Sequence, residues 1–160
     1  MNRPFLLVLT LVLVFGLTAS GLFPQAASRR LPGGSPASGY LLPNGWTVTP
    51  AGEQIPVGDF PIAIALHPSG SHLFVLHSGN GPQSLDAIEL STREIVSRIE
   101  VDKAWLGLVV GLGGTRVYVG GGMANTILVF AWIAGKLSSL ASVDMGIEGD
   151  ADVYPGGLCI

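Results

Sequence analysis

Residues 62–75, IAIALHPSGSHLFV, come back in pattern at residues 106–119 as LGLVVGLGGTRVYV. Each copy is an apolar run, a Gly-bearing turn, one polar position and then a Leu/Val-aromatic-Val run, and the turn glycines Gly70 and Gly114 lie 44 residues apart. A third copy begins at residues 155–160, where Pro155-Gly156-Gly157-Leu158 can be laid on Pro61-Ile62-Ala63-Ile64, and the sequence ends inside its first strand. A unit of this length cannot bury its apolar faces alone, and only stacking against its neighbours completes a core. Several short strands per unit of roughly 40–50 residues predict the blades of a β-propeller.

The strands follow from the residue order. In the first copy, residues 62–66 are wholly apolar, which suits a strand covered on both faces. His67-Pro68-Ser69-Gly70 reads as a tight turn, with Gly70 supplying the permissive backbone. Strands are then expected at residues 72–76, 84–90 and 94–99, giving a four-stranded blade over 62–99. The second copy repeats the order over 106–142, with strands at 106–110, 116–120, 126–131 and 136–142. A hairpin is expected over 45–57, its arms 46–49 and 53–57 meeting at Pro50-Ala51-Gly52, and it is read as the outer part of the last blade. Residues 29–42, rich in Ser, Gly and Pro, are expected to form a flexible lead-in. The whole of 43–160 is therefore read as an incomplete all-β propeller, about two blades plus a closing hairpin and the start of another blade at 156–160.

The first 28 residues have a different character. Arg3 supplies a positive end, residues 5–17 are almost unbrokenly apolar, and Ala26-Ala27-Ser28 follow as small residues. That is the pattern of a cleaved export signal. An uncleaved anchor is the competing reading, because the apolar stretch runs on towards the ~20 residues a bilayer span needs. Both place the remainder outside the cytoplasm, periplasmic or extracellular. The net charge of −3 and a charged fraction of only 12% give no clustered basic surface of the kind nucleic acid requires. Cys159 is the single cysteine, so no internal disulfide is available.

Each candidate site in the sequence has a plainer role. His67, His72 and His77 recur every five residues, but that odd spacing puts His72 and His77 on opposite faces of one strand, so turn and strand roles are expected rather than a metal site. The glycines at 111–114 and 120–122 suggest a phosphate loop, yet Met123-Ala124 stands where Lys-Ser/Thr is required, which leaves turn and close-packing roles. Asp144, Glu148, Asp150 and Asp152 lack the calcium-loop arrangement and read as a solvated loop. Cys159 is expected as a buried thiol on an inner strand. Trp105, at the junction between blades, is read as packing or as lining a channel. No catalytic, cofactor or metal residue is assigned.

Taken together, these residues resemble the YVTN (YncE-like) seven-bladed propeller repeats. The resemblance is carried by the turn His67-Pro68-Ser69-Gly70, the strands Leu73-Phe74-Val75 and Val117-Tyr118-Val119, and the run Asn125-Thr126-Ile127-Leu128-Val129-Phe130. A narrower resemblance covers residues 42–52 (LPNGWTVTPAG) and 57–61 (VGDFP). These look like the start of secreted bacterial proteins that join such a propeller to an alkaline-phosphatase-like phosphoesterase domain. The resemblance implies a scaffold or binding module for a protein or small-molecule ligand, with any divalent metal held in a domain beyond Ile160. A lactonase-like propeller enzyme and a stand-alone binding propeller are the alternatives.

Export predicts a mature N-terminus close to residues 27–29. Intact-mass spectrometry of the secreted protein checks this, and a retained Met1 on membrane-bound material would establish the anchor instead.

Overall fold

The computed structural model describes residues 32–35, 39–146 and 154–160. The expected signal segment at 1–28 and the acids Glu148, Asp150 and Asp152 lie outside the described residues. The chain divides into two compact units, Met1–Gln54 and Ile55–Ile160.

In the first unit, β1 (Gly33–Ser35), β2 (Gly39–Leu41) and β3 (Thr47–Val48) form a three-stranded antiparallel sheet in chain order. This corrects two expectations. Residues 33–35 and 39–41 are strands within the stretch expected to be a flexible lead-in. The partner of Thr47–Val48 is Tyr40–Leu41 rather than the expected arm at 53–57, which forms no strand. The physical reason lies in Asn44-Gly45, a strong hairpin signal. Gly45 takes φ +84°, its N–H donates to Leu42 O at 2.9 Å, and Leu42 N–H donates to Trp46 O at 2.7 Å. Pro56 in the rejected arm has no N–H to give a ladder.

The second unit holds two four-stranded antiparallel sheets, each running strand to adjacent strand in sequence order. Blade one is β4 (Pro61–Leu66), β5 (His72–His77), β6 (Ser84–Glu89) and β7 (Glu94–Glu100). Blade two is β8 (Leu108–Val110), β9 (Arg116–Gly120), β10 (Thr126–Ile133) and β11 (Lys136–Asp144), with a single 3-10 turn at Gly122–Ala124. Burial follows position in the blade. The central strands β5 and β6 are almost wholly buried, whereas β7 alternates between exposed and half-buried residues. Its charged Glu94, Arg98 and Glu100 stand on the solvent side, a feature that blunts an open sheet edge.

The blades stack face to face. Phe74, Leu76, Leu85 and Ala87 from blade one meet Val117, Val119, Phe130, Trp132 and Leu137 from blade two in one apolar cluster. Trp132 is its pivot, with edge-on ring contacts to Phe74 at 5.2 Å and to His72 at 5.0 Å between centroids. Each such aromatic pair adds ~0.5–1.5 kcal/mol to the value of the buried area. Two hydrogen bonds fix the sheets laterally. His67 Nε2 bonds Gly114 O at 3.0 Å, and Leu137 N–H donates to Ser97 Oγ at 3.0 Å. On the opposite face of blade two, residues 154–160 run without strand pairing among the described residues, and they approach Gly107 and Gly120 closely. A side chain at Gly107 would meet Leu158 Cγ at 2.8 Å and Gly156 O at 2.9 Å.

Trp132→Ala should cost about 3–5 kcal/mol in urea unfolding, because it opens a cavity in the seam between sheets. Trp46→Ala, at a residue 73% exposed, should stay within about 0.5 kcal/mol.

Candidate functional site

At one end of the stacked blades, the 101–107 connection between them meets the β5–β6 loop and the 3-10 turn. Ala104 anchors this meeting. Its N–H donates to Gln83 Oε1 at 2.6 Å, and its carbonyl accepts from Ser78 Oγ at 3.0 Å. The neighbouring Trp105 N–H donates to Gly120 O at 2.9 Å. Opposite, Gly122 has φ +47°, and a side chain there would come within 2.9 Å of Trp105 Cβ and 3.2 Å of Lys103 O. Only glycine allows this approach.

With Ala104 held inside, Lys103 and Trp105 are left on either side of it. Together with Met123 and Tyr154 they line a cavity of about 490 Å³, within the usual range for small-molecule sites of roughly 300–1,000 Å³. Trp105 is thus neither core nor plain packing: it is half exposed, on the wall of this cavity.

The histidines have separate tasks. In the turn, His67 Nδ1 bonds Ser69 Oγ at 2.7 Å while Nε2 reaches across to blade two. His72 Nδ1 bonds Ser71 Oγ at 2.8 Å, and its ring lies against Trp132. His77, on the far face of β5, is 1% exposed and places Nε2 3.1 Å from Asp86 Oδ2. Gly58 allows the chain to lie on that ring, since a side chain there would stand 3.1 Å from His77 Cγ. His77 Nδ1 has no hydrogen-bond partner among the described residues.

Sequence reasoning missed the centre of this group. Asp86, fully buried, is held by a bidentate pair from Arg98, Nε to Oδ1 and Nη2 to Oδ2, both at 2.6 Å. These bonds raise the Arg98 pKa above its ordinary value, against the opposing effect of burial. The signal available in the sequence was one acid inside the run Ser84-Leu85-Asp86-Ala87-Ile88, because a charge in a strand covered on both faces requires a partner. Both Asp86 oxygens are engaged, so the group reads as a structural tie across β5, β6 and β7.

The remaining candidates resolve locally. Gly114 (φ +71°) closes a turn, with its N–H donating to Gly111 O at 2.7 Å. Gly120 and Gly121 are close-packing positions, set against Pro155 O and Thr126. Asp144 Oδ1 accepts from Gly146 N–H at 2.8 Å. The expectation of a buried Cys159 is corrected: its thiol is exposed. Leu158 turns towards Gly107, while Cys159 and Ile160 are both exposed. No helix among the described residues is long and apolar enough to cross a membrane.

No family model and no curated protein sequence matches the chain. Among solved structures, Kuenenia stuttgartiensis hydrazine synthase is similar to it, with a TM-score of 0.50 at 20% identity, over 61% of this chain. The likeness is one of fold. This chain spans 25% of the length of that one. The stacked four-stranded antiparallel sheets are propeller blades, and the chain is all-β over its described residues apart from the one 3-10 turn.

Breaking the Asp86 tie from its two ends should give unequal losses. Arg98→Met strands a fully buried carboxylate and should cost about 3–5 kcal/mol. Asp86→Asn leaves a half-exposed guanidinium that water can reach, and should cost about 1–3 kcal/mol. Urea unfolding of both variants checks the order.

Proposed function

We propose that this chain is the N-terminal propeller portion of an exported protein, a scaffold and binding module for an alkaline-phosphatase-like phosphoesterase domain encoded beyond Ile160. The observation that carries the binding role is the cavity between blades. Its backbone is pinned at Ala104 by two side chains, so the site is formed before any ligand arrives, and preorganisation of this kind lowers the cost of binding. Export is supported by the Arg3 and 5–17 pattern at the N-terminus. The phosphoesterase partner is supported by the resemblance of residues 42–52 and 57–61 to the start of such fusions, and the YVTN-type repeat by the turn and strand motifs at 67–75 and 117–119.

In this division of labour hydrolysis belongs to the downstream domain. Metal-assisted phosphate hydrolysis needs cation ligands around an open coordination position and a nucleophile aimed at phosphorus. Here His67 and His77 are engaged with Gly114 and Asp86, and Asp86 is occupied by Arg98. Reading the gene past Ile160 should reveal further blades and then a domain with Asp/His metal motifs.

The full-length product should cleave p-nitrophenyl phosphate with added zinc or magnesium and lose that activity to a chelator, while the 160-residue chain leaves the ester intact. Metal-dependent turnover by the short chain would refute the division, and an inactive full-length protein would refute the phosphoesterase assignment.

A further inference from the structure

We propose that the cavity beside Ala104 is a binding site for a small planar aromatic carboxylate. This rests on the binding role above and adds the chemistry of the ligand. Trp105, Met123 and Tyr154 are 48%, 75% and 54% exposed, yet they are gathered around one concavity. Single exposed apolar residues need no explanation, but a contiguous group on a fixed frame marks a surface that something covers. Two flat rings and a polarisable thioether favour a flat π-surface, through offset stacking and sulfur–aromatic contact.

The polar side of the cavity specifies charge. Lys103 is the one charged residue lining it among the described residues, and no described carboxylate pairs with its side chain. Its ammonium is therefore available to an anion. Gln83 adds direction. Its Oε1 is committed to Ala104 N–H, which fixes the orientation of the amide and leaves its NH₂ as donor. An ammonium from Lys103 and an amide NH₂ from Gln83, both lining residues, match the two oxygens of a carboxylate, while the aromatic surfaces take the ring.

The test uses the full chain and two probes that share the naphthalene ring and exchange a carboxylate for a neutral alcohol, 2-naphthoate and 2-naphthalenemethanol, followed by isothermal titration calorimetry. The acid should bind saturably, one per chain, at least tenfold tighter than the alcohol. Lys103→Met should reduce the acid to the level of the alcohol and leave the alcohol unchanged. Trp105→Ala should weaken both at least tenfold. Met123→Ser, at a more exposed position, serves the same purpose if the tryptophan variant melts early. Equal affinity of the unaltered chain for both probes overturns the carboxylate assignment and leaves a binding cavity in place. Absence of saturable binding by either probe, or binding indifferent to residues 105 and 123, overturns the site and the binding role with it. The phosphoesterase assignment is decided separately, by the metal-dependent assay.

Discussion

The edge-on packing of Trp132 against Phe74 and His72 is the contact on which the rest of this structure depends. Neither blade has a core of its own. A four-stranded sheet is one layer thick, and its apolar face has no partner until another layer covers it. The seam supplies that layer, and it places every later feature. Because the two sheets are docked on one another, the Gly114 turn of blade two falls within reach of the His67 ring in the Gly70 turn of blade one. At the opposite end the 101–107 connection is brought against the loops that fix Ala104. The cavity is a product of the same docking: its walls come from residues as distant in sequence as Ser78 and Tyr154, and no one blade contains it.

A second constraint is the buried carboxylate of Asp86. An unpaired charge in that position would be prohibitively costly, and the cost is offset by a guanidinium with matched geometry and a histidine ring. The arrangement binds three successive strands together through side chains as well as ladders. It also accounts for the glycine at position 58, since a larger residue would strike the imidazole that caps the group.

The repeat carried most of the architecture. Two copies of an apolar run, a Gly turn and an aromatic-centred strand were enough to place four strands per blade, because period-two burial and turn chemistry are local properties. Features that depend on pairing register were not legible. Asp86 meets Arg98 directly across the ladder only because the irregularity in that strand pair falls between Ala87 and Ile88, beyond the pair, and nothing in residue order announces where it sits. The N-terminal hairpin was misread for a different reason: two turn signals competed, and Asn44-Gly45 outweighed Pro50-Ala51-Gly52. Cys159 was misplaced by assuming a strand from the repeat alone, when residues 154–160 form no strand among the described residues. The cavity was hinted at by Trp105, but its other walls come from loops whose meeting requires the blades to be docked.

The two blades superpose in pattern, and the positions at which they differ have an architectural meaning. Val75 pairs with Asp86 in blade one, and Val119 with Leu128 in blade two. One ladder further out, Asp86 pairs with Arg98 and Leu128 with Ser142. Leu128 packs against the seam, so the backward-facing surface of blade two is greasy where that of blade one is ionic. Likewise the reaching ring of His67 corresponds to Gly111, which has no side chain to reach with. The repeats are therefore not interchangeable parts. A chain with the two blades in reversed order would press a carboxylate–guanidinium pair into an aromatic interface and lose the lateral histidine bond. Position in the stack is thus written into each blade, which is how an array of similar units avoids assembling out of sequence.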